Sequence, residues 1–310
     1  MPTRKGSFRL FKLFGIEVFL HWSWFLVAIY EVQIRKGLYS SVTWNVLEYL
    51  TLFLIVLTHE FGHALACRSV GGQAKQIVLW PLGGVAYVSP PQRPGAVLWS
   101  IVAGPLVNVV LVPILSVIWR TAYLAGWDET HLNLLNYLDA IWTINLVLLI
   151  FNLLPVYPLD GGKILYALLW FVVGQARGLM IASIFGFIGA GGLLVFTVWL
   201  FATEPQYAIW YAAICVFILY NCYRGFAQAR ELRRLAEAPR RAGCCCPACK
   251  AAPPVGDFWN CGKCRKKFDL FAAQFACPHC NTKYGGAVCF DCGVGSRLNE
   301  WMPATPPVSA

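Results

Sequence analysis

Long apolar stretches constrain the fold of this 310-residue chain more than any other feature. A helix that crosses the hydrocarbon core of a bilayer needs about 20 predominantly apolar residues, because its backbone finds no water there. Charged residues make up 13% of the chain, against about 25% in a soluble domain. Stretches close to the required length lie at 16–33, 46–67, 96–119, 132–156, 178–201 and 207–223. The sequence therefore predicts an α-helical polytopic membrane protein with about six transmembrane helices.

The distribution of basic residues predicts how these helices are oriented. With both termini in the cytoplasm, the outside loops carry Arg35, Lys36 and Arg120. The inside segments then carry the basic tail together with Arg4, Lys5, Arg9, Lys12, Arg68, Lys75, Arg93, Lys163 and Arg177. This asymmetry follows the positive-inside rule. We expect a multi-pass integral membrane protein with cytoplasmic N and C termini. Its first helix is expected to stay uncleaved, because no small-residue cleavage site follows it.

The composition changes sharply after the last apolar stretch. Residues 227–241 (AQARELRRLAEAPRR) predict a short charged helix, and ten of the thirteen cysteines lie between Cys244 and Cys292. These changes predict a membrane domain over 1–225, a charged helical linker over 226–243, a cysteine-rich zinc-ribbon-like region over 244–295 and a disordered tail over 296–310.

A segment between the second and third apolar stretches differs from its neighbours. In Gly71 to Gly95, short β-prone runs flank Pro81-Leu82-Gly83-Gly84. Such a pattern is typical of a β-hairpin. We expect this hairpin to lie at the membrane rather than to cross it.

The second apolar stretch contains His59-Glu60-Phe61-Gly62-His63, which has the H-E-x-x-H spacing. Residues four apart share one face of a helix, so both imidazoles can bind one tetrahedral metal ion, and Glu60 can take a proton from metal-bound water. A charged side chain at the bilayer centre costs about 2.5–3.5 kcal/mol, so these groups need a partner inside the protein. A metal ion is the best partner, and polar neighbours on other helices are the alternative.

Two histidines leave a catalytic zinc ion one protein ligand short of the usual three. Asp160 is the leading candidate for the third, because it follows a proline- and glycine-rich interruption of the fourth apolar stretch. Interrupted helices at membrane depth occur where they are buried or line a cavity, so a carboxylate there faces the interior. The alternative is that Asp160 caps the N-terminus of the following helix.

Three motifs occur in order along the chain: HEFGH within an apolar stretch, AGPLVN at 103–108 and FNLLPVYPLDGG at 151–162. Together they resemble the site-2 protease family. The resemblance covers about residues 8–225 and includes RLFKLFGIEVFLHWSWFL, which is similar to the first membrane helix of that family. Members of the family carry soluble insertions in some cases, whereas this chain ends in cysteine pairs.

This resemblance implies an intramembrane zinc metalloendopeptidase. Its substrate would be a membrane protein in the lipid bilayer, cleaved in or near a transmembrane segment. The positions that match the family's zinc ligands are His59, His63 and Asp160. Glu60 matches the catalytic glutamate, which activates the zinc-bound water that attacks the peptide bond.

The resemblance also implies contacts with substrate. Asn152 matches an asparagine that helps to polarise the substrate carbonyl, and Asn108 lies in a motif that packs near the site. A helix-packing role for Asn108 is the alternative. The segment Gln76 to Val88 resembles strands that pair with an unwound substrate by edge addition, so Gly83 and Gly84 are candidate substrate-binding residues with Asn108.

The cysteine-rich region contains four Cys-x-x-Cys pairs, which place two thiolates each on a tetrahedral metal ion. They predict two structural zinc sites in addition to the catalytic one. Sequential pairing joins the first pair with the second, whereas nested pairing encloses one zinc ribbon between the outer pairs, and both remain open. The pairs are Cys246/Cys249, Cys261/Cys264, Cys277/Cys280 and Cys289/Cys292.

The tail is therefore a candidate site for a protein partner rather than a second active site, because four thiolates leave no open position on zinc. The formal charge of +10 falls to about +6 once two such sites are counted. Aromatic residues are too sparse among the basic ones to predict nucleic-acid binding. The alternative function is a noncatalytic membrane scaffold or adaptor with a partner-binding zinc-ribbon tail, and the intact Glu60 argues against it.

Overall fold

The structure is a computed structural model that describes residues 6–34, 37, 39–80 and 83–301. Of the residues used above, Arg4, Lys5, Arg35, Lys36, Pro81 and Leu82 lie outside these ranges. The chain divides into two compact units, Met1–Ala227 and Gln228–Ala310.

The first unit is built mainly from helices that follow the apolar stretches. Among the residues that the structure describes, five helices are long and apolar enough to cross a membrane, namely the second, third, fifth, seventh and eighth, which supports a multi-pass fold. The helices are α1 (Trp24–Ile34), α2 (Val42–Ser69), α3 (Pro94–Leu124), α4 (Trp127–Thr130), α5 (Leu132–Leu153), α6 (Asp160–Val173), α7 (Gln175–Thr203) and α8 (Pro205–Glu237).

The structure does not have the transmembrane helix that the sequence predicts over residues 16–33. The stretch that resembled a first membrane helix instead forms β1 (Ser7–Leu13), β2 (Ile16–His21) and then α1. With 11 residues, α1 is about 16 Å long, roughly half the thickness of a hydrocarbon core. In β2, Ile16 and Val18 are fully buried, whereas Glu17 between them is not. A short apolar run is compatible with a strand and with a buried helix, so the hydropathy of this stretch did not identify its secondary structure.

The predicted hairpin forms and belongs to a larger sheet. Strands β3 (Gln73–Trp80) and β4 (Gly83–Ser89) pair antiparallel, and the four strands are ordered β1-β2-β3-β4. The β2–β3 pair is parallel. Arg68, at the end of α2, ties both hairpins together, because its guanidinium donates to the carbonyl oxygens of Phe14 and Ala74 at 2.5 and 2.9 Å.

Helix α2 is the most buried of the five long helices. Just over half of its most apolar stretch, 56%, is buried, compared with 22–28% in the other four. One face of the sheet packs against it through Ile16, Val18, Ala74, Ile77 and Leu79, all nearly or fully buried. The residues of the H-E-x-x-H motif therefore lie on the central helix of this unit.

The charged segment predicted as a separate linker helix is part of α8. This helix runs without a break from Pro205 to Glu237. Its apolar first half and charged second half have different compositions, but good helix formers such as Ala, Arg, Glu and Leu fill the second half, so the helix continues.

The second unit has small β-hairpins around a core of cysteines and aromatic residues. Strands β5 (Trp259–Asn260) and β6 (Lys267–Phe268) form one hairpin, and β7 (Gly286–Val288) and β8 (Gly295–Arg297) form another. Residues 298–301 form α9 (Leu298–Trp301), whose Trp301 is 1% exposed. Residues 296–301 are therefore ordered, in contrast to the predicted disordered tail over 296–310, because Trp301 packs into the core against Phe271. Residues 302–310 lie outside the described ranges.

Two glycines of α7 provide a test of helix packing in the first unit. A Cβ at Gly186 would lie 2.7 Å from the carbonyl oxygen of Tyr157 and would overlap the sulfur of Cys222, whereas a Cβ at Gly191 would meet nothing within 4 Å. We expect Gly186→Ala to lower the free energy of unfolding by about 1–3 kcal/mol through overpacking. Gly191→Ala should leave it unchanged or raise it by up to about 1 kcal/mol. Thermal unfolding in detergent checks both, and equal midpoints would contradict the packing.

Candidate metal centre

Helix α2 places the three motif residues on its buried side. His59, Glu60 and His63 are 5%, 6% and 8% exposed. The two imidazoles are one turn apart, and their Nε2 atoms are 3.1 Å from each other. The spacing that suggested a metal pair therefore brings two ring nitrogens to one point.

Asp160 meets these nitrogens from another part of the chain. Its Oδ2 lies 3.0 Å from Nε2 of His59 and 3.1 Å from Nε2 of His63. Asp160 is the first residue of α6, and Leu159 occupies the N-cap position without a side-chain hydrogen bond. The carboxylate therefore faces the imidazoles and does not cap the helix.

The donor atoms fit a zinc ion. Bonds of about 2.0–2.1 Å from a tetrahedral zinc ion put neighbouring ligand atoms about 3.3 Å apart. The three edges of the observed triangle are 3.0, 3.1 and 3.1 Å. Two imidazole nitrogens and a carboxylate oxygen are also the ligand types that a catalytic zinc ion uses, with one position left open.

Glycines in the chain break position Asp160. Residues 154–159 separate α5 from α6. A Cβ at Gly161 would overlap the backbone of Leu153, and one at Gly162 would overlap the backbone of Tyr157. Because neither glycine has a side chain, the first turn of α6 packs directly against residues 153–157. This packing holds Asp160 next to His59 and His63 of α2.

The atoms that do not face the centre have partners of their own. Nδ1 of His63 lies 2.9 Å from the backbone carbonyl oxygen of Ser100, and Nδ1 of His59 lies 2.6 Å from Oδ1 of Asn108. The Lys163 ammonium donates to Oδ1 of Asp160 at 3.2 Å. Such second contacts fix the orientation of ligand side chains.

Sequence reasoning missed two of these partners. Lys163 was counted as a charge of an inside segment, although its position three residues after Asp160 on a helix was a usable signal. Ser100 contributes a backbone carbonyl, so its residue type carries no signal. Gly104 has a related role, because a Cβ there would overlap the His63 ring. The AGPLVN motif thus makes room for one imidazole and contacts the other.

Glu60 is held by strand β4. The backbone N–H of Ala86 donates to Oε2 of Glu60 at 2.9 Å. A Cβ at Gly84 would lie 2.5 Å from Oε1 and would overlap the carbon atoms of the carboxylate. An edge strand therefore lies directly against the glutamate beside the two histidines.

The remaining predicted residues lie at different distances from this centre. Gly83 begins β4 and pairs with Trp80 across the hairpin. Asn152 is half-buried in the last turn of α5. Asn108 is fully buried, and its Oδ1 contacts Nδ1 of His59, on the side of the ring that faces away from the centre.

Comparisons with known proteins cover the segments that form this site. Residues 48–126 and 122–196 match the family described as "Peptidase family M50". This part of the chain is similar to peptidase family M50. The matched residues include His59, His63 and Asp160, so the whole candidate centre lies inside the M50 region.

Individual relatives of this chain carry the names of zinc metalloproteases or putative zinc metalloproteases. The chain is 34% identical to a zinc metalloprotease of Methanocaldococcus jannaschii over 58% of this chain and 50% of the relative. It is 32% identical to a putative zinc metalloprotease of Synechocystis over 57% and 48%. The chain thus spans about half the length of the curated relatives it matches. The solved site-2 protease of M. jannaschii matches with a TM-score of 0.50 and 27% identity, over 71% of this chain and 95% of that one.

The cysteine pairs lie beyond the M50 match and form two clusters. The outer pairs meet, with Cys246 Sγ 3.7 Å from Cys292 Sγ and Cys249 Sγ 3.7 Å from Cys289 Sγ. The inner pairs Cys261/Cys264 and Cys277/Cys280 also meet, with sulfur distances of 3.4 and 3.7 Å. Of the two arrangements left open by the sequence, the structure has the nested one.

Each cluster also fits a zinc ion. Zinc–sulfur bonds of about 2.3 Å put neighbouring thiolates about 3.8 Å apart, close to the distances observed. The backbone N–H of Cys264 and the hydroxyl of Tyr284 lower the pKa of the Cys261 thiol to about 5. A lowered pKa favours the thiolate, which is the form of cysteine that binds zinc.

The nested arrangement predicts metal content in double variants of the full-length protein. We expect each cluster to bind one zinc ion. Cys246→Ser with Cys292→Ser alters one cluster and should lose one ion, whereas Cys246→Ser with Cys261→Ser alters both and should lose two. Elemental analysis of the purified proteins measures this. Sequential pairing would give the reverse result, two ions lost and then one.

Proposed function

We propose that this chain is an intramembrane zinc metalloendopeptidase that hydrolyses a peptide bond in or near a transmembrane segment of a membrane-protein substrate. The convergence of His59, His63 and Asp160 at one buried point carries this proposal. The helix that holds the histidines is apolar and long enough to span a bilayer. A hydrolytic site there acts on chains that reach it within the membrane.

In this proposal His59, His63 and Asp160 hold the zinc ion. When bound, zinc supplies a Lewis acid that lowers the pKa of water to about 7 and polarises a carbonyl group. The Lys163 ammonium neutralises the second oxygen of Asp160 and keeps it turned away from the histidines. Asp160 then offers one oxygen to the centre.

Glu60 is the proposed general base. Its carboxylate adjoins both histidines along α2, and the Ala86 N–H holds one of its oxygens. Such a carboxylate takes a proton from the attacking water and later delivers a proton to the amine that leaves. No covalent intermediate between substrate and protein is needed.

Strand β4 is the proposed docking edge for the substrate. It is the last strand of the sheet, and Gly84 and Ala86 lie against Glu60. A transmembrane helix hides its carbonyl groups in hydrogen bonds, so the substrate must unwind before cleavage. An unwound segment that adds to β4 places its backbone next to the catalytic carboxylate. Gly83, Gly84 and Asn152 are the proposed substrate contacts.

The cysteine-rich region is a proposed binding module without catalytic chemistry. Four thiolates in each of the two clusters would occupy all four coordination positions of a zinc ion. We assign catalysis to residues 1–225 and partner binding to the tail, with both termini cytoplasmic as the basic residues suggest. In this arrangement, the reducing cytoplasm keeps the cysteines available for zinc.

The role of Glu60 has a direct test. We expect Glu60→Gln to keep its full zinc content, because this residue is not a ligand, and to lose cleavage by a factor of about 100 or more. His63→Ala should lose both one zinc ion and cleavage. Quantitative proteomics of newly formed peptide termini, in membranes from cells that express each variant, measures cleavage of every membrane protein at once, so the substrate need not be chosen beforehand.

Two results would contradict the proposal in different ways. Equal cleavage by Glu60→Gln and the unaltered protein would exclude Glu60 as the base. Identical sets of termini in membranes with the unaltered protein, with His63→Ala and with no protein would favour a noncatalytic scaffold instead.

Gly84 gives a second test of the contact between β4 and Glu60. We expect Gly84→Ala to reduce cleavage at least about tenfold with unchanged zinc content, because the new methyl group displaces the carboxylate. Gly95→Ala is the matched control, since the nearest atom to its Cβ is at 3.8 Å. Rates within twofold for all three proteins would show that β4 need not lie against Glu60.

A further inference from the structure

A pair of buried asparagines joins two apolar helices behind the metal centre. Asn108 of α3 and Asn145 of α5 are both fully buried. The Asn108 amide donates from Nδ2 to Oδ1 of Asn145 at 2.8 Å, and Nδ2 of Asn145 donates to the backbone oxygen of Asn108 at 3.1 Å. A buried amide without partners costs several kcal/mol in an apolar medium, so this reciprocal pairing is a strong constraint.

The direction of each hydrogen bond in this pair follows from one backbone group. A carbonyl oxygen accepts hydrogen bonds and cannot donate them. The backbone oxygen of Asn108 therefore requires the NH2 end of Asn145 to face it, which turns Oδ1 of Asn145 toward the Asn108 side chain. That oxygen in turn requires the NH2 end of Asn108, so Oδ1 of Asn108 faces His59.

The tautomer of His59 follows from the same chain of contacts. Because Nδ1 of His59 faces an oxygen at 2.6 Å, it carries the proton and donates. Nε2 then has a free lone pair, directed at the point where His63 and Asp160 meet. If the Asn108 amide were turned over, its NH2 end would face Nδ1, and the proton would move to Nε2, where it blocks metal binding.

We propose that Asn145 is a positioning residue that fixes the Asn108 amide and, through it, the metal-binding tautomer of His59. The inference rests on the proposed function, because it takes His59 as a zinc ligand. The hydrogen bonds from Asn145 through Asn108 to His59 thus form a relay. His63 needs no such relay, since the backbone oxygen of Ser100 accepts a hydrogen bond from its Nδ1 directly. Both imidazoles are thus oriented by backbone carbonyl groups of α3, one directly and one through two side chains.

The test compares Asn145→Leu with a control variant that loses another hydrogen bond between the same helices. Nε1 of Trp142 on α5 donates to Oγ of Ser116 on α3 at 2.8 Å, away from the centre. We expect Asn145→Leu to weaken zinc binding at the His59 site about 10–100-fold, and Trp142→Phe to leave it unchanged. Chelator competition on the full-length protein measures this, and the relevant ion is the one absent from His63→Ala.

A double-variant cycle separates positioning from helix packing. Because Asn145 acts through Asn108, adding Asn145→Leu to Asn108→Leu should cause no further loss of zinc affinity. Independent packing contributions would instead add. Thermal unfolding is recorded in parallel, so that any loss of the fold is not mistaken for a loss of affinity.

The outcomes distinguish this inference from the proposed function. If the unaltered protein binds no zinc that depends on His63, the proposed function fails. If it binds that ion and Asn145→Leu binds it equally well, the proposed function stands and the relay is excluded. Additive losses in the double variant would also exclude the relay.

Discussion

The convergence of two imidazoles and one carboxylate at a buried point organises the membrane part of this chain. None of these groups is stable alone in an apolar interior, because the transfer of polar or charged groups there costs several kcal/mol. Each group therefore has a second contact: the Ser100 carbonyl for His63, Asn108 for His59 and Lys163 for Asp160. These contacts come from α3 and α6, so the packing of those helices against α2 and the geometry of the centre depend on each other.

Glycines make this close packing possible. The glycines around the site that leave no room for a Cβ include Gly84 beside Glu60, Gly104 beside the His63 ring, and Gly161 and Gly162 against the break before α6. Gly84 and Gly104 let Glu60 and the His63 ring lie against neighbouring backbone, and Gly161 and Gly162 let the first turn of α6 pack against the break that precedes it.

Sequence reasoning reached the parts of the structure that depend on local spacing. The four-residue interval of His59 and His63 fixed their common face, and alternation between turn residues and β-prone runs identified the β3–β4 hairpin. The assignment of Asp160 needed the resemblance to a family, because nothing local separates a ligand from a helix cap. The first apolar stretch was misread, since hydropathy does not separate strand β2 with the short helix α1 from one membrane helix. Asn145 gave no signal at all, because its role depends on a neighbouring helix 37 residues away in sequence.

The two kinds of metal centre differ in how their ligands are brought together. In the second unit each Cys-x-x-Cys pair would supply two ligands from one tight turn, so the remaining question is which pairs meet. In the nested order, the inner cysteine cluster lies between the two outer pairs along the sequence. The proposed zinc centre of the membrane unit would take its ligands from α2 and from α6, about 100 residues apart, and has local spacing for two of them only. The positions of its ligand atoms must therefore be fixed by helix packing and by the further contacts of each ligand side chain. A relay such as Asn145–Asn108–His59 is what such a centre requires, whereas a closed cluster of thiolates, each pair fixed by its own turn, does not require one.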